Sequence, residues 1–433
     1  MSAVVDSPVK PEAQPYLDAF AEDAREPKWL RDARRQGLDR FAREGFPSRR
    51  SENWRYLDLQ QLAKKPLLPV VSGSHAEVPD ELLCDAAKVR LFLLDGSCVS
   101  AVLAYDLPQG VWFGSMRRAI VARPDLVESA ATNARAVAEQ PFASLNVGFF
   151  VDGFVLDVPP GTALNYPIEI VHFASKYGSL HTRNIVNLGA GSRATILEVY
   201  AGSARYWRND VAAWRLGEGA SLTRVVLVEE SDEAVHLEQI SATLAAKAKL
   251  DGFALLLGGG TVRHEANIAI TGDNAECRYD GAFVVSGREE ANIVTTIDHA
   301  AIGGTTRELI KGVAAGRGHG AFQGKIVVRE GAQQTDAKQT SRNLILGRRA
   351  VIDTKPELEI LADDVKCAHG ASVGDLDEAA LFYLRARGIP ADEARRMLVE
   401  GFLREPVEGI ADPAIREHLL RRLSVRLARL ESE

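Results

Sequence analysis

Between about residue 150 and residue 366, short apolar runs alternate with glycine, asparagine, aspartate and charged breaks. Ile326-Val327-Val328, Leu344-Ile345-Leu346 and the run from Leu358 to Leu361 are of this kind. Runs this short, bounded by turn residues, predict strands. The pattern also repeats. Leu188, Leu216, Leu244 and Ile270 each close a β-rich run before a turn, at spacings of 28, 28 and 26 residues. A period in this range marks a repeat architecture. Gly, Asn and Asp punctuate the unit too often for a helix, so helical repeats and doubly wound sheets fit poorly. Parallel stacked strand coils, a β-helix, fit better, because each coil buries its inward aliphatics on the next. An antiparallel sandwich would also give short strands. The open ends of a coil stack need covers, and helical patterns stand on both sides of this one.

On the N-terminal side, residues 1–14 are small, polar and proline-containing, which predicts disorder. Tyr16, Phe20, Trp29, Leu30, Ala33, Leu38 and Phe41 then recur at helical spacing. Pro27 suits a first helical turn and Gly45 a stop, so two amphipathic helices are expected. Ser51 to Leu59 reads as a capped turn with Trp54 and Tyr56 packed. Residues 64–118 read as short strands or irregular structure, and Pro124 to Glu139 as helix. The strand domain is expected to begin with the run Pro141 to Gly161. The expected organisation is therefore 1–14 disordered, 15–140 helical and mixed, 141–374 β-helix, and 375–433 helical.

Asp375 and Glu378 have capping-box spacing at the start of that last region. Leu381 and Leu384 share a face, Gly388 closes the helix and Pro390 opens the next. Ala394, Met397, Leu398, Gly401 and Phe402 form its stripe, Pro406 and Pro413 bracket a loop, and Ile415, Leu419, Leu423, Leu427 and Leu430 mark a last helix. So small a helical region either lays its stripes on the β domain or offers them to a partner.

Composition narrows the function classes. The chain has 433 residues, 46% of them hydrophobic and 26% charged, which is ordinary for a globular protein. Its net charge of −7 argues against a general nucleic-acid binder. The cysteines (Cys84, Cys98, Cys277, Cys367) are scattered without a CxxC pair, which predicts reduced thiols rather than a disulfide frame or zinc ribbon. The first residues lack the apolar core of a signal peptide, and no apolar run approaches the roughly 20 residues that span a bilayer. A cytoplasmic, non-membrane protein is expected.

Most candidate chemistry dissolves on inspection. Gly316 to Ile326 resembles a phosphate loop only loosely: His319 stands where its first glycine belongs and Ile326 where its hydroxyl belongs. Gly258-Gly259-Gly260 lacks the dinucleotide-binding frame. Asp336, Lys338 and Arg342 could serve carbohydrate chemistry on a secreted β-helix, but a solvated outer face explains them with less. His172, His236, His264, His299 and His319 are unclustered, and Cys277 lies in an alternating strand pattern. Cys367 and His369 are different. Two residues apart on a strand, they point to the same face. A thiolate and a neutral imidazole are both ligands for iron or zinc. They make half a site, at the junction of the strand and helical regions, and another chain would have to supply the rest. A buried cysteine beside a hydrogen-bonded histidine is the competing explanation.

The stretches AFQGKIVVREGAQQTDAKQTSRNLIL, DTKPELEILADDVKCAHGASVG and LFYLRARGIP resemble the SufB/SufD family of the SUF iron–sulfur cluster assembly system. REPKWL and GFPSRRSENWRYLDL resemble its SufD branch. The resemblance is densest over about 297–404, clear near 45–59 and looser between. It implies a right-handed parallel β-helix between helical regions, and a non-catalytic scaffold subunit. A SufB-like paralogue would pair with this chain through the β-helix. A SufC-like ATPase would dock on the helices of roughly 376–430, through Leu381, Leu384, Met397, Leu398 and Phe402. A transient iron–sulfur cluster shared with the SufB-like chain would form near His369, with Cys367 beside it, and reduced flavin has been linked to such complexes. SufB-type chains carry a cysteine shortly before the corresponding histidine and an acid directly after it. Here ELEILADDV has no cysteine and Gly370 follows His369. By that comparison this chain would not hold a cluster alone. The alternatives are a secreted-type β-helix carbohydrate enzyme and a structural homodimer with an inert Cys367.

Overall fold

The computed structural model describes residues 9–70, 76–103, 106–131 and 141–430. Nine helices occur among them: α1 Gln14–Ala19, α2 Lys28–Glu44, α3 Gln60–Lys64, α4 Met116–Ala122, α5 Pro124–Ala131, α6 Pro141–Phe149, α7 Glu378–Ala386, α8 Ala391–Glu408 and α9 Pro413–Leu430. The strands form two sheets. One holds β1 Val89–Leu94, β2 Ser97–Leu103, β5 Ala163–Ala174, β7 Arg193–Gly202, β9 Ser221–Glu229, β11 Lys249–Gly258, β13 Glu276–Val285, β15 Thr305–Ala314, β17 Asp336–Ile345 and β19 Lys366–Gly374. The other holds β3 Trp112–Ser115, β4 Phe154–Val158, β6 Gly178–Leu188, β8 Tyr206–Leu216, β10 Val235–Leu244, β12 Thr261–Ile270, β14 Glu290–His299, β16 His319–Val328 and β18 Val351–Ile360. From β4 onward the chain alternates between the sheets, and each strand pairs in parallel with the one two places on. This is a parallel β-solenoid with two strands per coil.

The repeat seen in the sequence is the coil register. Leu188 pairs with Leu216, Leu216 with Leu244, and Leu244 with Ile270. The column runs on through His299, Val328 and Ile360. His299 is a polar residue in an aliphatic column. Its Nε2 lies 2.8 Å from Thr306 Oγ1, and burial pushes its pKa down to about 4, so the ring is held neutral. On the opposite sheet a second inward column runs Ala194, Leu222, Leu250, Cys277, Thr306, Ala337 and Cys367. Between the aliphatic columns the interior is charged but paired. Buried Arg224 bonds Glu198 (Nε, 2.6 Å) and Glu238, and His264 Nε2 lies 2.7 Å from the Tyr279 hydroxyl. Removing one member of such a group strands its partner's charge.

Helices cover the outer faces. Tyr16, Phe41, Phe142 and Leu145 pack with Trp207 and Leu237 of the β8–β10 face. Here α6 departs from expectation, because residues 141–149 are helical and the strand region starts at Phe154. Phe142 through Gly148 are buried on every side of this helix, so its apolar run has no period to read. Residues 9–13, expected to be disordered, include a turn, with Ala13 buried and the Lys10 amide on the Ala42 carbonyl (2.8 Å). Of the helix expected to reach Glu139, residues 132–140 lie outside the described residues.

On the other face, Val399, Leu403, Val407, Ile415, Leu419 and Leu423 of α8 and α9 pack on Val225, Leu227, Leu255 and Val284. The cap of α7 is Asp377, whose carboxylate accepts from the amides of Ala379 and Ala380, rather than Asp375. Pro406 lies inside α8 and does not start a loop. A proline leaves the carbonyl four residues earlier without its amide partner. That carbonyl is Phe402 O, and Lys311 Nζ of β15 donates to it at 2.9 Å. The break in the helix is thus filled by the sheet.

The C-terminal helices lie beside the solenoid and not across its end. The expectation that both ends are capped holds only at the N-terminal end. There β2 runs antiparallel to β1, and β3 antiparallel to β4. At the other end β18 and β19 are the outermost strands of both sheets.

Candidate functional site

Cys367 and His369 lie on β19, the last strand. Both continue inward columns: Cys367 pairs with Ala337, and His369 with Gln339. Within the stack, Ala337 and Gln339 are 1% and 0% exposed; Cys367 is half-buried and His369 exposed, because no coil follows. The thiol packs beside the small cluster of Ile326, Val328, Ala332, Ala337 and Ala362. Burial, and the nearby Asp336 carboxylate, raise its pKa. Cys367 is therefore a protonated thiol that must lose its proton to bind metal.

Beneath His369 the column is polar. Gln339 donates from Nε2 to Glu308 Oε2 at 2.7 Å. Glu308 is buried, and that burial pushes its pKa up to about 7. Sequence reasoning missed both residues. The signal was the coil period, which places Glu308, Gln339 and His369 one coil apart, at spacings of 31 and 30 residues.

The rim of this end carries exposed apolar side chains among its charges. Leu346, Val351, Ile360, Leu361 and Val373 are each at least 37% exposed. The outer edges of β18 and β19 have no strand partner among the described residues. Long unpaired edges are templates for strand pairing unless charge, proline or a cover blocks them. β18 carries Pro356 and three acids, whereas β19 carries one charge, Lys366. No group of three or more His, Cys, Asp or Glu placed to hold a metal occurs among the described residues. Cys367 and His369 are two donors on one face, short of a full coordination sphere.

The remaining candidates fall elsewhere. Leu381 is buried, Leu384, Leu398 and Phe402 are half-buried, and Met397 is 47% exposed. Phe402 lies against the sheet, its ring 4.2 Å from Lys311 Nζ. The apolar surface these helices present is instead Phe382 and Tyr383 (74% and 55% exposed) with Met397. The stripe reading passed over both aromatics because it followed the face that packs. Asp336 forms an exposed ion pair with Arg307 (2.8 Å). His172, His236 and His264 are fully buried beside glutamates. Cys277 is buried in its column, and burial pushes its thiol pKa far up. No helix of the described residues is long and apolar enough to cross a membrane.

The architecture is that of a β-solenoid protein whose last strand, carrying Cys367 and His369, lies at an uncovered end. Comparison with known proteins gives the family. A family model described as "SUF system FeS cluster assembly, SufBD core domain" matches residues 171–402. A second, "SufBD protein N-terminal region", matches residues 13–170. The iron–sulfur cluster assembly protein SufD of Escherichia coli (strain K12) is 28% identical over 400 residues, 90% of this chain and 92% of that protein. SufD of Bacillus subtilis (strain 168) is 27% identical over 421 residues, 92% of this chain and 95% of its own. An iron–sulfur cluster assembly SufBD family protein of Mycobacterium tuberculosis (strain CDC 1551 / Oshkosh) is 31% identical over 332 residues, 74% of this chain and 80% of its own. The chain belongs to the SufBD family of SUF iron–sulfur cluster assembly proteins.

Proposed function

We propose that this chain is a SufD-like scaffold subunit, without turnover of its own, that pairs end to end with a SufB-like solenoid through β18 and β19. The uncovered last coil carries the reading: its inward columns stop at Cys367 and His369, and apolar side chains rim it. A second solenoid stacked there would extend both sheets and bury the rim. Cys367 and His369 would then lie at the junction as a partial ligand set. The nascent cluster is cargo, and the partner supplies its other donors. The same edge would let two copies of this chain pair when the partner is absent.

A SufC-like ATPase would dock on α7 and α8, where Phe382, Tyr383 and Met397 are exposed. Leu381, Leu384, Leu398 and Phe402 would then hold the docking face in shape from beneath. The test of the cluster role is His369→Ala in the full complex. The complex should assemble as before but carry at least about 5-fold less iron and acid-labile sulfide, since even an outer-shell partner of a metal ligand typically contributes 10-fold or more and a direct donor should contribute no less. Unchanged iron and sulfide would reject His369 as a donor and favour an inert structural pairing.

A further inference from the structure

Three successive coils carry a Gly-Arg pair at one corner: Gly287-Arg288, Gly316-Arg317 and Gly347-Arg348, the last followed by Arg349. Gly287 and Gly316 are left-handed, with φ of 55° and 60°. A Cβ on Gly316 would sit 3.1 Å from the Gly287 amide nitrogen, and one on Gly347 3.6 Å from that of Gly316. The glycines therefore stack backbone on backbone, and Arg288 and Arg317 follow one above the other at the strand repeat of about 4.8 Å, with the Arg317 amide on the Gly287 carbonyl (3.0 Å). All four arginines are exposed. Arg288, Arg317 and Arg349 line a cleft of about 440 Å3, with Leu430 of α9 as its apolar wall.

Among the described residues these arginines lack counter-charge. The corner's acid, Glu289, is taken by Arg426 and by the Ser286 amide (2.7 Å). None of the four arginines has a carboxylate partner among the described residues. Two coils earlier the same corner reads Glu230, Ser231, Asp232, Glu233, so the solenoid does not demand arginine there. Like charges stacked on neighbouring strands repel. In a chain of net charge −7 such a row is a local cationic patch that attracts an anion. Guanidinium forks in line match oxygens on adjacent tetrahedral groups, which a point charge does not.

We propose that this cleft binds a ligand bearing two linked phosphoryl groups, an inorganic or organic diphosphate, with the phosphates along Arg288, Arg317 and Arg349 and any organic part against Leu430. The test is calorimetric titration of the full chain with inorganic pyrophosphate and, separately, orthophosphate, near physiological ionic strength. Pyrophosphate should bind at least about 10-fold more tightly, because it engages two rungs. Arg288→Ser with Arg317→Ser should remove that preference while leaving thermal unfolding unchanged. Arg317→Lys, which keeps the charge and loses the fork, should weaken pyrophosphate by about 3-fold or more. No measurable pyrophosphate binding, equal affinity for the two anions, or wild-type affinity in the double serine variant would overturn the site.

Discussion

The two ends of the solenoid are finished differently. At the N-terminal end the chain reverses, and β2 and β3 lie antiparallel on β1 and β4. Asp152 locks that cover: its carboxylate accepts from the amides of Cys98 and Arg117, both at 3.0 Å. At the C-terminal end the chain leaves sideways after Gly374, and α8 and α9 settle on the outer face of the sheet. The same inward column that is sealed at Ala194 and Leu222 ends half-open at Cys367. One end is covered by its own chain, and the other is not covered among the described residues.

The largest effect should come from comparing one column at its sealed and open positions. Leu222→Ala should destabilise the chain by about 2–5 kcal/mol, as a buried large-to-small change does. Cys367→Ala, in the same column, should cost less than about 1 kcal/mol, since the thiol is small and already partly exposed. Urea unfolding of both variants checks this; equal losses would mean that the last coil is as tightly packed as the middle.

Glu308 gives a pH test of the polar lining near the open end. Its folded pKa of about 7 lies above the 4.5 of a free carboxyl. The protonated form is favoured in the folded chain, so its stabilising contribution is full below pH 4.5 and is lost as pH rises through 7. Glu308→Gln should remove this fall, a difference on the order of 3 kcal/mol. Parallel stability curves for wild type and variant between those values would contradict it.

At the rim, Ile360→Lys should weaken pairing with the SufB-like subunit by about 10-fold, through a charge on the edge, without changing the melting of the isolated chain. Size-exclusion chromatography across a concentration series reads this; wild-type pairing would free the rim of any role. Asp336→Ala, which breaks only the exposed pair with Arg307, should shift stability by less than about 1 kcal/mol and leave pairing alone.

Much of this was legible in the chain itself. The coils were legible because an aliphatic residue must close each β-rich run, and Leu188, Leu216, Leu244 and Ile270 do so at nearly constant spacing. That Cys367 and His369 share a face followed from strand alternation alone. What lies beneath them did not, because coil length drifts, and an error of one residue turns a side chain from inside to outside. Gln339 and Glu308 therefore went unmarked in the sequence. The helix of Pro141–Phe149 was hidden by uniform burial, and the break at Pro406 by Lys311, a residue far away in sequence that supplies its missing bond. The unfinished end was equally illegible, since a helical segment after the last strand says nothing about whether it lies over the coil or beside it.

The most direct test of the open end is amide hydrogen exchange of the chain alone and in complex with the SufB-like partner proposed for it. New protection should fall on residues 351–374, the two outermost strands, with β2 and β3 at the opposite end unchanged. Protection at β2 and β3, or none at 351–374 in a complex that has formed, would contradict the account.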